Sequence, residues 1–128
     1  MKKDLRTPLA RVRGLGAARG GTSHFWRQRL TAMANIPLVL FLVGLVISMH
    51  GAGYEETRAV LSSPWVALPL LLLLLSVLVH MRLGMQVVIE DYVHGEGAKI
   101  VLLMLNTFFV FVLGAIGAFS LLRLAFGG

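Results

Sequence analysis

Apolar and polar positions separate into long blocks along this chain instead of alternating. Three apolar segments, at about residues 30–49, 65–90 and 99–126, are divided by short polar stretches. Each reaches the roughly 20 residues that an α-helix needs to cross a hydrocarbon core of about 30 Å, at a rise of about 1.5 Å per residue. The pattern predicts an all-α integral membrane protein with three transmembrane helices. Pro37 and Pro69 each fall within the first two turns of an expected span, where a missing amide costs least. No period-two run suggests a barrel strand, and no internal repeat is visible.

Composition strengthens this picture. Of 128 residues, 57% are hydrophobic and only 14% charged, with a mean hydropathy of +0.81. Ordinary soluble domains carry roughly 25% charged residues. The few charges orient the spans. Residues 1–29 form a basic arm with Lys2, Lys3, Arg6, Arg11, Arg13, Arg19, Arg27 and Arg29 against Asp4 alone, whereas the stretch from His50 to Pro64 holds Arg58 and two glutamates. The positive-inside rule predicts a cytoplasmic N-terminus and a periplasmic C-terminus in a bacterial inner membrane, with residues 30–126 as the anchor domain. The arm is too long and basic for an ordinary signal peptide, and too poor in Ser and Thr for a transit peptide. A sequence pI near 10.9 usually raises nucleic acid as a partner. Here the excess charge adjoins a span, where it sets topology and attracts anionic lipid. The run GLGAARGG, Gly14 to Gly21, reads as a flexible basic linker.

What is missing limits the chemistry. With no cysteine, the chain holds no thiolate-ligated iron–sulfur cluster, no disulfide and no covalently attached haem. No glycine-rich loop follows a strand, so no FAD or nucleotide site is expected. Any flavin or cluster that serves this protein resides on other chains.

The run from Leu71 to Gly97, LLLLLSVLVHMRLGMQVVIEDYVHGEG, places His80 in the middle of the second span. An ionisable side chain at bilayer depth is costly and marks a functional candidate. His80 precedes Glu90 by ten residues, which puts it about 15 Å below the cytoplasmic edge. At about 100° per residue, Gly84 and Asp91 share its face, and Gly84 leaves room for a flat ligand against the helix. Three readings of His80 stay open: an interhelical hydrogen bond, haem ligation and a proton relay. A low-spin b-type haem takes two axial ligands. His24 and His94 lie at the cytoplasmic edge and His50 at the outer edge, so the second ligand would come from another subunit. Glu90 and Asp91 end a helix whose dipole favours cations there. Tyr92 is either an interfacial anchor or, beside Asp91, a hydroxyl donor near a quinone headgroup. Arg82, nearly opposite His80 on the helix, is expected to snorkel to the interface or pair within the bundle.

The pattern of His80, ten residues and then Asp91–Tyr92, with Gly84 between, resembles the second transmembrane helix of the smaller hydrophobic anchor of succinate dehydrogenase, respiratory complex II. A second likeness lies in SHFWRQRLTA, Ser23 to Ala32, similar to that family's approach to its first helix. The resemblance implies that His80 is an axial ligand of a haem b shared with a second haem-binding anchor subunit. It implies that Arg29, and less directly His24, lies near the haem propionates. Tyr92 would hydrogen-bond a ubiquinone carbonyl, with Asp91 as the neighbouring acid. The implied partners are the second anchor, an iron–sulfur subunit and a flavoprotein subunit. Such a chain takes part in succinate:quinone oxidoreduction without oxidising succinate alone. A fumarate reductase-type anchor, a cofactor-free structural subunit and a small proton-conducting subunit are the alternatives.

Overall fold

The computed structural model describes residues 7–9 and 19–127. Lys2, Lys3, Asp4, Arg6, Arg11 and Arg13 of the basic arm, and residues 14–18 of the glycine-rich run, lie outside them. From residue 19 onward the described residues form the helices α1 (Arg19–Ser48), α2 (Tyr54–Ser62), α3 (Pro64–Tyr92) and α4 (Glu96–Ala125), in that order. Three are long and apolar enough to cross a membrane, over Gly21–Ser48, Pro64–Tyr92 and Glu96–Ala125. No strand occurs among the described residues. The chain is a three-span, all-α membrane protein.

Two boundaries differ from the hydropathy reading, for physical reasons. Helix α1 begins at Arg19, so the last part of the basic arm is helical. Hydropathy marks only the part of a helix that suits lipid, so the polar turns that continue the same helix out of the apolar layer go unmarked. Pro37 therefore sits deep inside α1 and not in its first turns. It leaves the Met33 carbonyl without an i→i+4 donor, a loss that membrane helices tolerate. Pro69, in contrast, does fall in the second turn of α3. The polar stretch after α1 folds as the short helix α2, with Glu55 and Glu56 in its first turn, where the helix dipole favours acids. Ser63 ends it in extended backbone, and Pro64 then opens α3 at a position that needs no amide.

The spans form a row with α3 in the middle. It packs against α1 on one side and α4 on the other, while α2 rests on α3 and α4. Helices α1 and α4 do not pack together. An apolar groove of about 540 Å³ lies between them over α3, lined by Val39, Leu42, Leu73, Val77, Gly117 and Leu121 among others. The buried residues reflect this row: Ala67, Leu73, Leu78, Leu83 and Ile89 of α3, and Val110 of α4. Glycines set the α3–α4 spacing. A Cβ on Gly117 would lie 2.7 Å from Leu74 Cδ2, and one on Gly114 would lie 3.2 Å from Leu78 Cδ1. Small residues let membrane helices approach where no hydrophobic force acts between them.

Candidate functional site on the seam between α1 and α3

Four polar residues of α1, His24, Gln28, Thr31 and Asn35, are all half-buried. Their spacing of four, three and four residues puts them on one helical face. Because α1 and α3 run antiparallel, this stripe meets the C-terminal half of α3. Two residues of α3, one turn apart, grip Thr31. Ser76 Oγ donates to the Thr31 carbonyl at 3.3 Å, and His80 Nδ1 lies 3.2 Å from Thr31 Oγ1. His80 thus makes the interhelical hydrogen bond that was one of its three readings, but with only one ring nitrogen.

Thr31 Oγ1 also lies 2.8 Å from the Arg27 carbonyl and 3.1 Å from the Gln28 carbonyl. Carbonyl oxygens only accept, so the single hydroxyl proton points at them. Toward His80, Thr31 can then offer only a lone pair. With the hydroxyl donating to the preceding turn, His80 Nδ1 is the ring donor to Oγ1, and Nε2 is left with a lone pair that no described residue engages. An imidazole in that state suits a metal ligand. Among the described residues no group of three His, Asp or Glu side chains gathers to hold an ion. One neutral imidazole with one nitrogen anchored fits a single axial position on a preassembled metal macrocycle.

Toward the N-terminus of α1 the seam opens into a cleft of about 700 Å³, lined in part by His24, Phe25, Gln28, Arg29, Gln86 and Glu90. Arg29 and His24 line this cleft together. The Arg29 guanidinium lies 4.8 Å from the centre of the Phe25 ring, a cation–π contact that leaves its planar fork of donors uncommitted. His24 Nε2 and Gln28 Oε1 are buried without a hydrogen-bond partner among the described residues. Buried polar atoms of this kind cost about 1–3 kcal/mol each until a guest satisfies them. Two residues of the cleft, Gln28 and Gln86, were not singled out from sequence. The signal was present in the spacing of Gln28, Thr31 and Asn35, which repeats at helical intervals through an otherwise apolar run.

Gly84 faces α1. Gln28 Nε2 stands 3.4 Å from the point where a Cβ on Gly84 would be, so the notch admits a side chain of α1 at van der Waals distance. Arg82 does not line the cleft that holds His24 and Arg29. Its carbonyl accepts a hydrogen bond from Asn106 Nδ2 of α4 at 3.0 Å, while its side chain lines a second cleft together with Arg27.

Helix α3 ends at Tyr92, and the two acids before it differ. Glu90 accepts from Gln86 Nε2 at 2.8 Å, and the Glu90 carbonyl accepts from Lys99 Nζ at 3.2 Å, so a cation of α4 meets the negative end of the α3 dipole. Asp91 and Tyr92 are both exposed, and neither side chain has a hydrogen-bond or ionic partner among the described residues. Both directly follow Glu90, which lines the cleft. His94 and His50 are exposed in the connections at opposite ends of the bundle.

Comparison with known proteins bears on these features. The family model described as succinate dehydrogenase/fumarate reductase transmembrane subunit matches residues 3–115. A succinate dehydrogenase hydrophobic membrane anchor subunit of Paracoccus denitrificans is 28% identical over 121 residues, covering 94% of this chain and 93% of its own. That of Rickettsia bellii (strain RML369-C) is 32% identical over 93 residues, 73% of this chain and 74% of its own. A succinate dehydrogenase membrane anchor subunit of Reclinomonas americana is 34% identical over 90 residues, 68% of this chain and 75% of its own. The match takes in α1, α2, α3 and more than half of α4, and so includes both His80 and the Asp91–Tyr92 pair. By this extent of likeness the chain belongs to the succinate dehydrogenase/fumarate reductase transmembrane subunit family.

Proposed function

We propose that this chain is the hydrophobic membrane anchor subunit of a succinate dehydrogenase, and that it shares a b-type haem and a ubiquinone-reduction site with partner subunits. The observation that carries the haem reading is His80: a half-buried imidazole in mid-span whose Nδ1 is held by Thr31 and whose Nε2 is uncommitted. His80 would supply one axial ligand, and a second anchor subunit the other. Arg29 would offer bidentate donors to the propionates from the cleft, and His24 would donate or accept there through its unpartnered Nε2. When bound, the haem supplies a one-electron redox centre at the depth of His80.

The quinone site would lie at the end of α3. Ubiquinone becomes ubiquinol by taking two electrons and two protons. The Tyr92 hydroxyl would donate to one quinone carbonyl and hold the headgroup in place, while Asp91 stands beside it to pass a proton from the aqueous side. The electrons would come from an iron–sulfur subunit, fed by a flavoprotein subunit, since this chain has no cysteine to hold a cluster. The excess of Lys and Arg before α1 supports a cytoplasmic N-terminus and a periplasmic C-terminus in a bacterial inner membrane.

Purification of the complex through a tag on this chain tests the proposal. Co-purifying flavoprotein and iron–sulfur chains, a second anchor, and a bis-histidine b-type spectrum are expected. His80→Ala should abolish or alter that spectrum while succinate oxidation with a water-soluble acceptor continues. A complex without haem, or with an unchanged haem in His80→Ala, would refute the ligand assignment.

A further inference from the structure

We infer that Thr31 is a positioning residue for His80, which fixes the tautomer of the imidazole and holds the potential of the bound iron down. The inference rests on the reading of His80 as an axial ligand and adds to it a residue of α1 that acts on the ligand itself. Its basis is the directional chain of hydrogen bonds at Thr31. The hydroxyl proton is taken by the carbonyls of Arg27 and Gln28, 2.8 and 3.1 Å away, so Oγ1 faces His80 as an acceptor. With Nδ1–H donating to Oγ1, Nε2 is the nitrogen that coordinates.

The contact is built to hold one geometry. Ser76, one turn before His80, donates to the carbonyl of the same threonine. Thr31 is therefore gripped at two points from one face of α3, and rotation or sliding of α1 would break both bonds together. Gln28, one turn before Thr31, fills the notch at Gly84 one turn beyond His80, which pins the same register from the other side. The ring of His80 can neither flip nor swing without losing its partner.

An Nδ1–H bonded to oxygen gives the imidazole more anionic character. It then donates more strongly to iron and favours the ferric over the ferrous state. Loss of an outer partner of a metal-bound histidine typically costs about 10–100-fold in affinity. If the ferric state bears a tenfold share of that loss, the midpoint potential rises by about 59 mV, the one-electron equivalent of a factor of ten.

The test uses the whole purified complex with Thr31→Val and Thr31→Ser. Valine keeps the shape and removes the acceptor, and serine restores an oxygen. The midpoint potential of the haem is measured by redox titration, and the anisotropy of the ferric electron-paramagnetic-resonance signal reports ligand character independently of turnover. Thr31→Val is expected to raise the potential by tens of millivolts and shift the signal, and Thr31→Ser to bring both back toward wild type. Should the valine complex not assemble, Thr31→Ala removes the same acceptor with less bulk and is read in the same way. Haem present with potential and signal unchanged in Thr31→Val or Thr31→Ala overturns the role of Thr31 and leaves the ligand assignment standing. A potential shifted equally in Thr31→Ser overturns it too, since the hydroxyl would then not be the cause. Absence of haem from the wild-type complex, or indifference of the haem to His80→Ala, removes the ligand reading itself.

Discussion

Replacement of Tyr92 by Phe isolates one hydroxyl at the proposed quinone site. Tyr92 is 77% exposed, and its hydroxyl has no partner among the described residues. The substitution therefore breaks no bond within the chain and keeps the ring at the membrane interface. Thermal stability of the complex should be unchanged, which makes any kinetic effect attributable to the ligand. A hydrogen bond to a neutral carbonyl is worth about 1 kcal/mol, and one to an oxygen gaining charge about 1.5–3 kcal/mol. Since about 1.36 kcal/mol is a factor of ten, a bond made equally in ground and transition states should raise the KM for ubiquinone about fivefold. One that strengthens during reduction should lower kcat by tenfold or more. The assay compares succinate:ubiquinone reduction with electron transfer from succinate to a water-soluble acceptor that bypasses the membrane. Only the first should fall, with haem content unaltered. Wild-type kcat and KM for ubiquinone in an intact Tyr92→Phe complex would remove Tyr92 from the quinone site and leave it as an interfacial anchor.

Packing yields further expectations. Gly117→Val should cost about 1–3 kcal/mol, because even a Cβ there would meet Leu74 at 2.7 Å, and the melting temperature of the solubilised complex should drop accordingly. An unchanged melt would mean that Leu74 swings aside at no cost. Asn106→Leu removes the hydrogen bond to the Arg82 carbonyl and should cost only about 0.6 kcal/mol, the average for such bonds between membrane helices. A loss of several kcal/mol in the same melt would show that Asn106 does more than bridge α3 and α4.

The spans were legible because a bilayer imposes a minimum length and excludes charge. His80 stood out for the same reason, as did the acids at the end of α3. The start of α1 was not legible, since hydropathy records where lipid begins and the stretch from Arg19 to Arg29, with Gly20, Gly21, Thr22 and Ser23, has neither lipid-like hydropathy nor strong helix propensity. Helix α2 was short and polar, although Glu55, Glu56 and the following Pro64 carried its start and stop signals. Thr31 was hidden for a different reason. A threonine in an apolar helix satisfies its own hydroxyl on the preceding turn, and nothing in α1 alone says that its lone pair will meet an imidazole 49 residues away. That depends on how two helices cross. Gly84 illustrates the converse: helix geometry put it correctly on the face of His80, but only the packing of α1 shows that Gln28 takes the space. Arg29 and His24 line one cleft because they lie within neighbouring turns of α1.

The row arrangement leaves α3 as the element through which the two seams communicate. Thr31, His80 and Ser76 join α3 to one neighbour, while Gly117, Gly114 and Asn106 join it to the other, and those neighbours do not pack on each other. Free-energy changes at sites with no shared partner add to within about 0.3–0.5 kcal/mol. Any coupling between a substitution in the α4 seam and one in the α1 seam should then be carried by a shift of α3, and its size in a double-mutant cycle measures how stiff that helix is.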